Sequence, residues 1–271
     1  MELRPSAVAL VVVAIALTAP TAASAAPSWA PAGSATIHPG VQTFTDGAQC
    51  TANFVYYDAT DVYLGQAAHC SGTGAATETN GCDSGSLPIG TPVEVTGASR
   101  PGTLVYNSWI SMQQSGETDP DTCQYNDLAL IRIDPADAGK VNPSIPFWGG
   151  PTGVTASVPA NAKVESYGNS SLRAGVRALS PKQGVQLRQD SGGWNHQVYT
   201  VTPGIPGDSG SAFIDAQGRA FGVLSTVQLA PEPASNGVGD VSRELSWMQS
   251  HTSFTGVTLA PGTVAFSGPL L

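Results

Sequence analysis

Three polar side chains stand in surroundings that suit nucleophilic and acid–base chemistry. They are His69 in Ala67-Ala68-His69-Cys70, Asp127 in Asn126-Asp127-Leu128-Ala129-Leu130, and Ser209 in Pro206-Gly207-Asp208-Ser209-Gly210-Ser211. A serine hydroxyl alone is too weak an acid to attack a carbonyl at neutral pH. An imidazole can take its proton and later return it to a leaving group. A carboxylate behind the imidazole fixes its tautomer and stabilises its protonated form. Ser209, His69 and Asp127 match these three roles in turn. Gly207 frees the backbone to turn sharply, so that the N–H groups of Gly207 and Ser209 can converge on a developing oxyanion. Asp127 opens an apolar run, which carries its carboxylate toward a partly buried place.

Short strands must position these residues. Runs rich in Val, Ile, Tyr, Phe and Thr, bounded by Gly, Pro, Asn or Asp, recur over 51–57, 62–64, 92–95, 102–106, 128–133, 163–167, 185–187, 197–201, 212–214 and 220–225. Their spacing predicts an all-β sandwich or barrel. The Pro- and Gly-rich segment 142–159 reads as a connector between two halves. One helix is predicted, capped by Asp240, with Val241, Leu245 and Met248 on its apolar face. The tail 251–271 offers 257–259 and 263–266 for further strand pairing.

Composition narrows the class. The 271-residue chain begins with Arg4, the apolar run Ala7–Leu17 and the small-residue exit Ala23-Ser24-Ala25. That order predicts a secretory signal peptide over residues 1–25, since eleven apolar residues are too few to cross a bilayer. The remaining 26–271 carries few charges, 11% of the whole chain, with abundant Gly (31) and Pro (21), which disfavours long surface helices. A net charge of −9 gives no electrostatic footprint for nucleic acid or an anionic membrane. Four cysteines, Cys50, Cys70, Cys82 and Cys123, predict disulfides in an exported protein. Three pairings are possible, and Cys50–Cys70 with Cys82–Cys123 is the favoured one. No Cys-x-x-Cys or His-x-x-x-His spacing supports zinc. His38, His196 and His251 have no reactive neighbours and read as structural.

Occurring together in this order, the three motifs resemble those of the chymotrypsin (trypsin-like) serine peptidases, above all their secreted bacterial members, over roughly Cys50 to Met248. The resemblance implies two six-stranded antiparallel β-barrels with a cleft between them and a C-terminal helix. It places the first barrel at about 37–145, the second at about 155–250 and an extension at 251–271. His69 and Asp127 would come from the first barrel and Ser209 from the second. Cys50–Cys70 matches the family's histidine-loop disulfide, and Tyr167-Gly168 its aromatic-Gly strand. Pro203, six residues before Ser209, falls at the base of the primary specificity pocket. Ser225 and Thr226 match the segment whose backbone pairs with an extended substrate, and Val227 narrows the pocket mouth. The activity expected is that of a secreted, monomeric serine endopeptidase acting on proteins or peptides through an acyl-enzyme, without cofactor or metal. Its rivals are an inactive binding protein of the same fold and an exported esterase with the same triad. An α/β-hydrolase is excluded because it needs Gly-x-Ser-x-Gly and the order Ser, Asp, His.

The chain departs from that family in three places. Residues 202–206 contain no acid to hold a Lys or Arg side chain, so small or medium apolar residues are the expected preference. No Ile-Val-Gly-Gly stretch is present to supply an amino terminus to Asp208; Ile37-His38-Pro39-Gly40 is the nearest and a poor match. A buried Asp208 therefore needs an internal cation, for which Lys163 is the candidate. No cysteine follows Cys123, so the pocket walls rely on packing.

Overall fold

The run Leu128-Ala129-Leu130-Ile131 is apolar without alternation because both faces of its strand are covered. It makes up most of β7 (Leu128–Arg132). Leu128 and Leu130 belong to a core shared by the two halves, whereas Ala129 and Ile131 belong to the core of the first half. A strand with one wet face would alternate instead. The same division recurs in β11 (Ala212–Asp215), where Phe213 enters the second half's core and Ala212 and Ile214 the shared one. Among the described residues, three cores thus organise the fold, and the shared one packs the two halves together.

The computed structural model describes residues 27–75, 77–227 and 233–268. The signal-peptide expectation over 1–25 lies outside these. The first half contains β1 (Gln42–Thr45), β2 (Ala48–Thr51), β3 (Val55–Tyr57), β4 (Val62–Ala67), β5 (Pro92–Val95), β6 (Gly102–Asn107) and β7. Its sheet also takes in a strand of the tail, β14 (Thr258–Leu259), in the order β14-β3-β4-β7-β6-β5-β1-β2. β2 and β3 are parts of one bent strand: β2 pairs with β1, β3 with β4, and between them Asn53 N donates to Gly65 O. Counted as one, they close a six-membered antiparallel ring, with β14 outside it on the edge of β3. The second half is a closed barrel of β8 (Lys163–Tyr167), β9 (Pro181–Asp190), β10 (Asn195–Thr200), β11, β12 (Ala220–Val227) and β13 (Asn236–Asp240), ordered β10-β13-β12-β11-β8-β9. The double-barrel expectation holds.

Among the described residues, three α-helices accompany the barrels, two more than the sequence pattern predicts. α1 (Ser108–Ser115) starts at Asn107, whose side chain accepts from Trp109 N and Ile110 N, and ends at Gly116 with φ of 70°. α2 (Pro120–Tyr125) starts at Asp119 with proline in its first turn. Both carry sound capping signals, but they are too short to show an apolar period. α3 (Val241–His251) is the predicted helix. Asp240 accepts from Arg243 N at 2.9 Å, and Val241, Leu245 and Met248 are buried.

The tail differs from expectation in its second part. β14 pairs with β3 through Thr258↔Tyr57 and Leu259↔Tyr56. Residues 263–266 form no strand; they are strapped to the connector between the barrels. Thr263 N and Val264 N both donate to Ser144 Oγ, at 2.9 and 3.0 Å, and Gly150 N donates to Val264 O at 3.0 Å. One hydroxyl therefore satisfies two main-chain donors. Ser144→Ala leaves both without that acceptor and is expected to cost about 1–3 kcal/mol. A denaturant midpoint unchanged from wild type, with Thr263 and Val264 amides still protected from exchange, would refute this role.

Candidate active site

His69 and Asp127 are brought together by strand pairing. β4 and β7 align Ala67 with Leu128, and Ala68 N donates to Asp127 O at 2.9 Å, extending the pairing by one residue. The chain then enters a short helical turn, Ala68–Ser71, that aims His69 at the carboxylate. His69 Nδ1–H donates to Asp127 Oδ2 at 2.7 Å, and the main-chain N–H of His69 donates to Oδ1 at 2.9 Å. Ser225 Oγ, from β12, donates to Oδ2 at 2.6 Å. A register shift between Leu224 and Thr226 marks the bulge that turns this hydroxyl toward the first barrel. Burial by itself lowers the His69 pKa, but the charge of Asp127 and its hydrogen bond outweigh burial and hold it above the ordinary 6.5.

Two further residues brace the turn. Asn107 Nδ2 donates to Ala68 O and Ser71 Oγ, at 3.0 and 2.9 Å, while its Oδ1 caps α1. Cys70 is bonded to Cys50 of β2, and Cys82 to Cys123 of α2. Cys50, Cys70 and His69 lie close enough to suggest a metal site, but both sulfurs are spent in the disulfide.

Ser209 arrives from the second barrel on two consecutive tight turns. Residues 205–208 form the first, closed by Asp208 N donating to Ile205 O at 2.8 Å, with Pro206 and then Gly207 at its centre. Gly207 has φ of +93°, the conformation a type II turn demands at that position, and proline presets the residue before it. Ser170 Oγ holds the Pro206 carbonyl at 2.6 Å. In a trans peptide the Gly207 N–H points away from that carbonyl. Among the described residues, neither Gly207 N–H nor Ser209 N–H has a hydrogen-bond acceptor. Gly210 completes the approach: a Cβ there would lie 2.6 Å from Thr51 O and 2.9 Å from Ala67 N. The bare glycine lets the turn press against the first barrel, where Thr51 N donates to Ser209 O at 2.9 Å.

Asp208 is buried and held by cations, but not by the one expected. Arg173 grips it with both terminal nitrogens, Nη1 on Oδ1 and Nη2 on Oδ2 at 2.6 Å, and Lys182 Nζ lies 3.0 Å from Oδ2. Burial opposes the Asp208 charge, yet Arg173 and Lys182 outweigh it and lower the pKa. Lys163 is exposed on β8 and takes no part, which corrects that assignment. Lys182 also donates to Thr202 O and Pro203 O, at 3.1 and 2.8 Å, so its three protons are all used. Nothing local marks Arg173 or Lys182 in the sequence, because the chain reaches Asp208 only through tertiary folding. Asn107, by contrast, was available as a capping signal before α1.

Ser225, Thr226 and Val227 close β12, and Pro203 lies just after β10, next to Gly204, which faces β12. Gly204 N donates to Asn236 Oδ1 at 2.7 Å, and a Cβ on Gly204 would stand 3.2 Å from Val227 Cγ2 and 3.0 Å from Leu224 Cδ2. The walls are therefore close. β11 begins opposite Val223, so the same edge of β12 at 225–227 has no strand beside it among the described residues.

No family model and no curated protein matches this sequence. Solved structures do share its fold. Thermobifida fusca Protease A matches with a TM-score of 0.53 and 16% identity, over 83% of this chain and 99% of its own. A glutamic acid-specific serine protease, described as using a histidine triad in substrate binding, matches at 0.52 and 16%, over 83% and 100%. Cellulomonas bogoriensis chymotrypsin matches at 0.50 and 16%, over 83% and 98%. The chain has the chymotrypsin-like fold of these serine proteases.

The observed cation, Arg173, and the expected one, Lys163, are separable by mutation. Arg173→Met removes the two-pronged partner of a buried carboxylate and is expected to destabilise the protein by about 3–5 kcal/mol. Lys163→Met, at an exposed position, is expected to stay within ~0.5 kcal/mol of wild type. Urea unfolding of both variants checks the ranking, and the reverse order would return Lys163 to Asp208.

Proposed function

We propose that this chain is a secreted serine endopeptidase in which His69, Asp127 and Ser209 form the catalytic triad. The observation that carries this reading is the 2.7 Å bond from His69 Nδ1–H to a buried Asp127, in a fold that also presents Ser209 on a turn docked against β2. With Nδ1 occupied as a donor, His69 Nε2 carries the free lone pair. It removes the proton from Ser209 Oγ as that oxygen bonds to the substrate carbonyl carbon. The carbonyl π electrons move onto oxygen, and the Gly207 and Ser209 N–H groups receive the negative charge. Collapse breaks the C–N bond, and the amine leaves with the proton from Nε2. Water then repeats the sequence on the acyl-enzyme and releases the acid. The unpaired edge at 225–227 supports binding of an extended peptide by strand addition.

The pocket reading favours a small residue at the cleaved position. Val227, Leu224 and Asn236 crowd the space around Gly204. Asp208 is committed to two cations and cannot receive a basic side chain. The commitment of all three Lys182 protons likewise leaves none for an acidic one. Two disulfides and the predicted leader support an extracellular location. A monomer with no cofactor suffices for every step.

A fluorophosphonate probe is expected to label the wild type and to lose labelling in Ser209→Ala and His69→Ala, with peptidase kcat/KM down roughly 10⁴-fold or more in each. Because His69 must be neutral to act as base, the labelling rate should rise with pH through an inflection above 6.5. A folded wild type that never labels would favour the binding-protein reading. A peptide library should return Gly, Ala, Ser or Val at the cleaved position. Dominance of Arg, Lys, Glu or large aromatics would overturn the pocket reading alone.

A further inference from the structure

Behind Asp127 lies a second carboxyl group that the reaction does not touch. Glu244, in the first turn of α3, is 0% exposed. Its Oε1 accepts the main-chain N–H of Asp127 at 3.0 Å, while Oε2 has no hydrogen-bond partner among the described residues. The site is shaped around this group. Gly239, at the end of β13, leaves room that a Cβ would take, 2.7 Å from Glu244 Oε1 and 2.9 Å from Tyr125 O. The ionisable groups facing Glu244 are Asp127, before β7, Asp240 at the cap of α3, Tyr56 of β3 and Tyr106 of β6. None is a cation. Arg243, the nearest basic residue in sequence, lies over the Trp194 ring.

We propose that Glu244 is a positioning residue for the His69–Asp127 pair, acting from inside the core as an uncharged carboxylic acid that fixes the Asp127 main chain. A charged Glu244 would add a second buried anion beside Asp127 with no cation facing it, an unfavourable arrangement for such a pair. Burial, and then the charges of Asp127 and Asp240, push its pKa well above the carboxylate range against the single N–H bond that favours ionisation. The uncharged form still accepts that bond through its carbonyl oxygen. The consequence is positional and electrostatic together. The residue that carries the triad carboxylate is tied to α3 at its nitrogen. His69 meanwhile faces one negative charge and not two.

This inference rests on the peptidase reading, so wild-type labelling by the fluorophosphonate is established first and independently. Glu244→Gln keeps the shape and the acceptor. It is expected to hold kcat within about 3-fold of wild type and to leave the acid limb of kcat/KM where it was. Glu244→Leu removes the acceptor and should lower kcat by about 10- to 100-fold with KM changed far less. Side-chain carboxyl ¹³C NMR of the wild type, with Glu244→Gln assigning the resonance, should report the neutral acid throughout the pH range of activity. That measurement stands even if the leucine variant does not fold. If Glu244→Gln moves the acid limb down by half a unit or more, Glu244 carries a charge and the proposal fails. It also fails if Glu244→Leu folds and retains wild-type kcat.

Discussion

Asp127 imposes the constraint that the rest of the site obeys. A carboxylate that is only 3% exposed must find hydrogen-bond donors inside the protein, and isolated burial would be costly. It finds three, and they come from different places: the His69 ring, the His69 main chain and the Ser225 hydroxyl. The first two belong to one barrel and the third to the other. Satisfying one buried acid therefore requires the two barrels to meet in a single relative placement. That placement is the one in which Thr51 holds the Ser209 carbonyl and Gly210 packs on Ala67.

A second buried acid plays the matching part on the other side of the cleft. Asp208 closes the Ile205–Asp208 turn through its own N–H and returns a carboxylate oxygen to Ile205 N at 3.2 Å. Its two cations come from the turn after β8 and from β9. The peptide that presents the Gly207 N–H is thus set by electrostatics buried beneath it. The N-terminal segment is engaged elsewhere, with Trp29 edge-on to Tyr57 and Ala30 N bonded to Val141 O.

What could be read in the sequence was the chemistry carried by contiguous residues. Ala-Ala-His-Cys, Asp-Leu-Ala-Leu and Gly-Asp-Ser-Gly each combine a reactive group with the backbone that aims it, so a few residues suffice to recognise them. The positioning partners were not legible in that way. Arg173 and Lys182 reach Asp208 across 35 and 26 positions of chain, and proximity to Tyr167-Gly168 pointed to Lys163 instead. Glu244 looks like an ordinary acid in the first turn of a helix, a place that favours negative charge on any surface. β13 was missed for a related reason. Asn-Gly-Val-Gly-Asp reads as a turn, but Gly239 is there because a Cβ would meet Tyr125 O and the Glu244 carboxyl. Tertiary crowding, and not local propensity, selects that residue.

The short strand β14 has a consequence for how this protein meets other chains. A sheet edge with unpaired N–H and C=O groups accepts any extended polypeptide, whatever its sequence. Past the end of β1, the outer edge of β3 would be such a place, and the chain covers it with its own residues Thr258 and Leu259. Among the described residues, the edge at 225–227 carries no such cover. Non-specific strand addition is thereby discouraged at the edge of β3, while the edge at 225–227, on the β12 strand that carries Ser225, stays accessible to it.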